Sequence, residues 1–531
     1  GSITSSTLTG DENNDYVEVI RDVVSSQIDT LGGNDTVSVG QNVISSTLVG
    51  GDGNDSFVVS GGTTSSDISL GSGNDSLSLQ NVFESTIDAG ADNDSLAISG
   101  GVTGSSVVAG TGNDTVSVAG NFNTSTLELG TGDNIATFGA GISSSTLTGG
   151  DGSDTLLVSG GVSASSVALD AGANFVSING VVTASTLTAL GGDDQVYLKN
   201  NVLSSTVDVG DGTNVLDVDL GVANSQFTLG SGDDTLDIGQ NVTASSLTLG
   251  DGNNWASIGQ NITSSTLTAG TDDDTILIGG NIVSSTITTG DGTDALQAGS
   301  NGSTTFINLS SVTMGVGDDS VQFGGSFSGS TIDLGEGSDT LAIVRDVVNG
   351  SVQSGVNTVQ KRSVLTLGEG DNYVTIGGSM TSAVVTAGDG ADSLVIGEAI
   401  DKTSFALADG NNRFEALDVI TSSTLTAGDG NDSIRAGGLE TDTLTFGLGA
   451  DSLAVTDDVT GSTITFGGSS FVTIGGDVLD TTITAASGDD SMLFGGAIST
   501  SSIALAEGNN LILGVTTGAG LYTSTVTSGS G

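Results

Sequence analysis

The chain has 531 residues, with 85 Gly, 35 % hydrophobic residues and 63 acidic against 8 basic side chains, a formal charge of −55. It contains no Pro, Cys or His, which excludes disulfides, Cys or His metal ligands and any catalytic triad built on His. So few Lys and Arg give no counter-charge for nucleic acid or anionic lipid, and no stretch approaches the roughly 20 apolar residues of a membrane span.

A Gly-rich turn recurs about every twenty residues, as in Gly51–Asp55, Gly71–Asp75 and Gly110–Asp114. Its last residue falls at Asp35, Asp55, Asp75, Asp94 and Asp114. Beyond these it alternates between Asn (Asn134, Asn174, Asn214, Asn254) and Asp (Asp154, Asp194, Asp234, Asp274). A constant period marks one structural unit stacked many times, which overrides the three or four globular domains that the length alone suggests. Counted from that residue, apolar side chains recur at +2 and +4 (Val37 and Val39, Leu77 and Leu79, Ile276 and Ile278). A further apolar position follows a Gly-containing bend (Val43, Phe122, Val242), and another follows a Ser/Thr-rich bend (Leu48, Leu127, Leu267). The alternation is that of half-buried strands, and helical periodicity is absent.

These features predict an all-β, single-chain parallel β-solenoid, a β-roll or β-helix, with about 20 residues per coil and about 25 coils. Each coil carries two clear strands and one short one. The solenoid is expected to run over 1–531, with loop insertions near 300–311 and 344–362 and a shortened turn without its acid at Gly467–Phe471. The chain opens and closes inside a repeat, as expected of a piece of a longer array or of a subunit that stacks end to end.

The segment Gly50–Val58, Gly-Gly-Asp-Gly-Asn-Asp-Ser-Phe-Val, resembles the nonapeptide of the repeats-in-toxin family, G-G-x-G-x-D-x-U-x. That resemblance implies a parallel β-roll of secreted bacterial proteins with Ca²⁺ held between neighbouring turns. Ca²⁺ takes six to eight oxygens, which two stacked turns of Gly carbonyls and Asp carboxylates can supply together. By match to the sixth position of the motif, the resemblance implies side-chain ligands at Asp35, Asp55, Asp75, Asp94, Asp114, Asp154, Asp234, Asp294, Asp339, Asp392 and Asp432. The same column adds Asp194, Asp274, Asp319, Asp451 and Asp490. Asp94 matches least, because its turn, Gly90-Ala91-Asp92-Asn93, lacks the second Gly.

The chain departs from that family in carrying one such turn per coil, since the opposite bend reads Gln41-Asn42-Val43-Ile44-Ser45-Ser46. Calcium is therefore expected along one edge only, as in the one-sided calcium solenoids of large bacterial adhesins. The Asp/Asn alternation is expected to relieve repulsion between carboxylates about 5 Å apart while each amide keeps an oxygen for the metal. The competing reading is that Asp and Asn here serve the turn through backbone hydrogen bonds, or stack as amide ladders, without metal.

Ser pairs such as Ser45-Ser46 and Ser204-Ser205 are expected to form a hydroxyl ladder at a bend rather than nucleophiles, because no His is present to act as base. Outward Thr pairs (Thr7/Thr9, Thr146/Thr148, Thr266/Thr268) resemble an ice-binding grid, interrupted by Asp29, Asp88, Glu128, Asp208 and Asp333. The function expected is that of a non-enzymatic extracellular protein at a bacterial cell surface. It is a calcium-loaded solenoid forming a fibril, surface layer or adhesin stalk and self-associating end to end or side by side. The alternatives are a repeat module of a secreted polysaccharide-modifying enzyme and an ice-binding solenoid.

Overall fold

Three faces arise from one coil because inward apolar residues alternate with outward polar ones and Gly or Ser bends separate the runs. A computed structural model describes residues 1–299, 305–354, 357–514 and 520–529. The coil after Asp55 is representative. Ser56–Val59 forms a first strand, Thr63–Thr64 a two-residue strand and Asp67–Ser72 a third, and the turn Gly73-Asn74-Asp75 closes the coil. Each strand pairs in parallel with its counterparts one coil away on either side. Ser56 lies opposite Thr36 and Ser76, Thr63 opposite Val43 and Val82, and Asp67 opposite Thr47 and Thr86. The three stacks are called the valine sheet, the short sheet and the threonine sheet below. The chain is an all-β parallel β-solenoid of about 25 coils, each of about 20 residues, and no helix occurs among the described residues.

The chain divides into two compact units, Gly1–Gly259 and Gln260–Gly531. In the first, the interior is a stack of small branched side chains. Val37, Val39, Val43 and Leu48 are fully buried, as are their equivalents in later coils. A further inward position, five residues before the turn acid, was not among those expected. Leu70, Leu129, Leu229 and Leu249 occupy it and seal the core beneath the turn.

In the second unit two insertions change the pairing offset. Ile282 lies opposite Ile307, so five extra residues precede the strand Phe306–Asn308; 300–304 of the expected insertion lie outside the described residues. Ser311 is already back on the threonine sheet. The second insertion begins later than expected, because Val347 still pairs with Phe327 in normal register. Its extra residues form an antiparallel hairpin, Gly350–Ser354 with Asn357–Lys361, at the bend between the short and threonine sheets.

The Ser bend is a ladder, as expected. Ser45 takes a left-handed φ of 49°, which turns the chain, and Ser46 faces inward. The Ser46 hydroxyl accepts the Ser26 N–H at 3.1 Å and donates to the Ile44 carbonyl at 2.7 Å. Both capacities of the hydroxyl are thus used by the backbone. One carboxylate, Asp442, occupies this column. It accepts the N–H groups of Ser423 and Glu440 at 2.7 and 2.8 Å, and burial pushes its carboxyl up to about 6. Sequence reasoning missed it, although aligning Glu440-Thr441-Asp442-Thr443 on the Ser-Ser-Thr bends would have placed an acid there.

Candidate metal centre

The turn that closes each coil runs from the threonine sheet into the valine sheet, and its geometry demands Gly. Gly51 has φ 115°, and a Cβ there would overlap the Leu31 carbonyl of the preceding coil. The atypical turn before Asp94 keeps the same path with Asp92 at φ 76°.

All sixteen expected ligands lie at the same corner of their coils, and none is more than 3 % exposed. Their first oxygen belongs to the backbone. Asp55 Oδ1 accepts the Asp35 N–H at 2.8 Å, Asp75 Oδ1 the Asp55 N–H at 2.6 Å, and Asp94 Oδ1 the Asp75 N–H at 2.8 Å. The ladder begins one coil earlier than expected, at Asp15, whose N–H donates to Asp35 Oδ1 at 2.7 Å. Asn takes the same part. The Asp114 N–H donates to Asn134 Oδ1 at 2.8 Å, and the Asn134 N–H donates to Asp154 Oδ1 at 2.9 Å. In the second unit the pattern continues through Asp274, Asp294, Asp319 and Asp339 at 2.8 Å per step, and on to Asn372 at 3.0 Å. At the shortened turn Ser470 replaces the acid, and both its N–H and its hydroxyl donate to Asp490 Oδ1.

The second oxygen is different. In the first unit Oδ2 of Asp35, Asp55, Asp75, Asp94, Asp114, Asp154, Asp194 and Asp234 is buried with no hydrogen-bond partner. The same holds in the second unit for Asp294, Asp319, Asp339, Asp392, Asp432, Asp451 and Asp490. The Asn coils reveal what surrounds that position. Asn134 Nδ2 donates to the Gly132 carbonyl at 2.9 Å, and Asn254 Nδ2 to those of Gly250 and Gly252 at 3.0 and 2.9 Å. Asn214 Nδ2 donates to Gly210, Gly212 and Leu229 at 2.9, 3.3 and 3.1 Å. The corner is a cage of carbonyl oxygens that calls for a donor. An amide NH₂ satisfies it, whereas a carboxylate oxygen adds one more negative group.

In an Asn coil Oδ1 accepts the neighbouring backbone N–H and Nδ2 fills the cage, so the amide places no oxygen where an Asp coil places Oδ2. The reading of the turn as a backbone-serving corner holds for Oδ1, which accepts a backbone N–H from coil to coil, whereas Oδ2 of these fifteen acids is left without a partner.

Burial pushes nine of these carboxyls far above the usual carboxylate range. Asp55, Asp75, Asp154, Asp194, Asp339 and Asp451 reach about 6, and Asp94, Asp234 and Asp319 about 7. Two species remove the conflict at neutral pH, a proton on Oδ2 or a cation bound between it and the carbonyls. The donor set is oxygen only, which suits a hard cation such as Ca²⁺. Among the described residues no three acidic side chains converge, so such an ion would draw one carboxylate oxygen per Asp coil and the rest from backbone carbonyls.

No protein-family model matches the chain, and no curated protein matches it. Among solved structures, a similar chain is the crystal structure of a hyperactive, Ca²⁺-dependent, β-helical antifreeze protein from an Antarctic bacterium. It is 24 % identical over 61 % of this chain and 80 % of that one, with a TM-score of 0.35, a likeness too slight to bear on function. The resemblance to the repeats-in-toxin family accordingly rests on the turn motif.

Proposed function

We propose that the chain is a non-enzymatic, extracellular structural protein whose solenoid is stabilised by Ca²⁺ along its aspartate corner, of the kind that builds surface fibrils, surface layers or adhesin stalks. One observation carries this reading: a buried, unpartnered carboxylate oxygen in fifteen of the Asp coils, at the position where Asn coils place a donor. A structural role follows from uniformity, because the acids repeat alike from coil to coil with no differentiated cluster. Extracellular fluid holds enough free Ca²⁺ to fill modest sites and the cytosol does not, which favours folding after export. The repeats-in-toxin turn motif supports the same reading.

The test is a calcium titration followed by circular dichroism and melting at pH 7.5. Ca²⁺ is expected to raise the melting temperature by on the order of 10 °C over chelator. A full β-signal with unchanged melting in excess chelator would overturn the proposal.

A second reading, ice binding, is favoured by the threonine sheet of the second unit. Thr424, Thr443, Thr463 and Thr482 stand in register, as do Thr426, Thr445, Thr465 and Thr484, an uninterrupted four-coil grid with every residue solvent-accessible. Rows about 4.8 Å apart, with about 7 Å between alternate residues, provide a flat and repetitive lattice of hydroxyls and methyls. The face is broken elsewhere by Asp29, Asp88, Glu128, Asp208 and Asp333, which is why this reading stands second. It predicts thermal hysteresis that Thr445→Tyr with Thr465→Tyr removes; intact chain without thermal hysteresis sinks it.

A further inference from the structure

The valine sheet of the first unit carries a feature that the aspartate corner does not explain. From Thr36–Val39 to Gln195–Leu198, nine successive strands present two outward residues each, and not one of the outward residues is charged. The threonine sheet of the same coils carries Asp67, Asp88 and Glu128. In a chain of charge −55 this is the longest neutral run on the valine sheet, the second unit having six such strands in succession from Thr275–Ile278 to Ser393–Ile396. Charge returns at both ends of the nine strands, with Glu18 before them and Asp217 after them. Even Asp217 is paired, 3.3 Å from the Lys199 ammonium, which also lies 4.9 Å from the centre of the Tyr197 ring.

The second half of this surface is apolar, and its large residues zigzag. They stand just after the turn residue in Asn coils (Ile135, Phe175) and two places later in Asp coils (Leu157, Tyr197). Ile135 and Leu157 are 43 % and 36 % exposed, and Phe175 and Tyr197 touch at a ring separation of 5.6 Å. Each large side chain stands beside a Thr, Ser or Gln of the same strand, so the stripe is a row of knobs and gaps with a period of two coils.

We infer that this face is a docking surface for a second copy of the same chain, packed valine sheet against valine sheet. Two polyanions can approach only where neither presents charge, and here the neutral area coincides with the exposed apolar stripe. Knobs that alternate with gaps are self-complementary under a two-fold axis, so one surface serves both partners. Nine coils at about 4.8 Å, each about 13 Å wide, cover roughly 550 Å² per copy. A pair would bury about 1,100 Å², at the lower edge of specific interfaces, so the dimer is expected to be weak and to be strengthened by salt. The inference does not rest on the calcium reading.

The chain has no Cys, so single substitutions report the contact without background. Ser78→Cys, Ser117→Cys and Ser177→Cys lie on the face, and Thr148→Cys lies on the threonine sheet as a control. Each is treated with a short bis-maleimide in calcium buffer after the full β-signal has been checked. At least one of the three is expected to give cross-linked dimers where the control gives none. Sedimentation of the unmodified full chain is expected to show dimer at about 100 μM. Phe175→Glu with Tyr197→Glu should raise the concentration at half-dimerisation by at least about tenfold, and the milder Phe175→Ser with Tyr197→Ser should act in the same direction. A folded chain of single mass at that concentration overturns the inference, as does a control that cross-links equally. Single mass with retention on a neutral polysaccharide also overturns it, since the face would then serve a glycan. Failure of calcium to stabilise the chain, with dimers intact, would sink the calcium reading alone.

Discussion

Asp194 and Asn174 sit on adjacent coils, make the same Oδ1 bond to the backbone, and differ only in what their other atom brings to the carbonyl cage. Replacing Asp194 by Asn puts a donor where an orphaned oxygen stood. In chelator at pH 7.5, Asp194→Asn is expected to raise stability by roughly 1–3 kcal/mol, the cost of an unmet buried polar group. In calcium, the number of bound ions is expected to fall; denaturant midpoints and equilibrium dialysis check the two halves. The pH dependence follows from the same atoms. The folded carboxyls at about 6 to 7 bind protons that the unfolded chain has released above about pH 4. Folded protons exceed unfolded ones in that window, so stability in chelator is full near pH 4 and falls as pH rises through 7. Each acid held ionised costs on the order of 3 kcal/mol. Saturating Ca²⁺ is expected to flatten this slope, and melting scans between pH 4 and 8 with and without the metal measure it.

At the scale of a coil, the bends are held by side-chain ladders, and the strands between them are short. The two-residue strands of the short sheet depend on the Ser corner that follows. Ser46→Ala would leave the buried Ser26 N–H without its 3.1 Å acceptor and is expected to cost about 1–3 kcal/mol, read as a lower denaturant midpoint. The strands themselves were legible in the sequence, because inward residues such as Val37, Val39, Val43 and Leu48 repeat with a strand's alternation. The inward position of Leu70 and Leu129 was not, since it lies next to the Gly turn and alternates with Ala and Gly in other coils. The hairpin Gly350–Ser354 with Asn357–Lys361 was legible only as extra length. Its pairing is antiparallel and local, and the period of the repeat says nothing about it.

Charge governs the molecule as a whole, with 63 acids against 8 bases. Among the described residues only Lys199, Lys402 and Arg413 take part in ion pairs, so few of those acids are compensated by the protein itself. Added NaCl is therefore expected to raise the melting temperature in chelator by screening self-repulsion. The same salt should have little effect in saturating Ca²⁺, and a salt response of equal size in both would argue that the metal does not bind the corner acids.

The period, the solenoid, the inward residues of the alternating strands and the column of corner acids followed from the sequence alone, because each coil repeats the same local rules of alternation and turn geometry; the inward position beside the turn did not. What each corner oxygen does was decided only by stacking. Oδ1 of Asp55 meets an N–H that belongs to Asp35, twenty residues earlier, and the cage around Oδ2 is read from carbonyls that the Asn coils touch. Those partners become neighbours when one coil settles on the next, and no spacing within a single coil distinguishes the oxygen that caps the backbone from the one left without a donor.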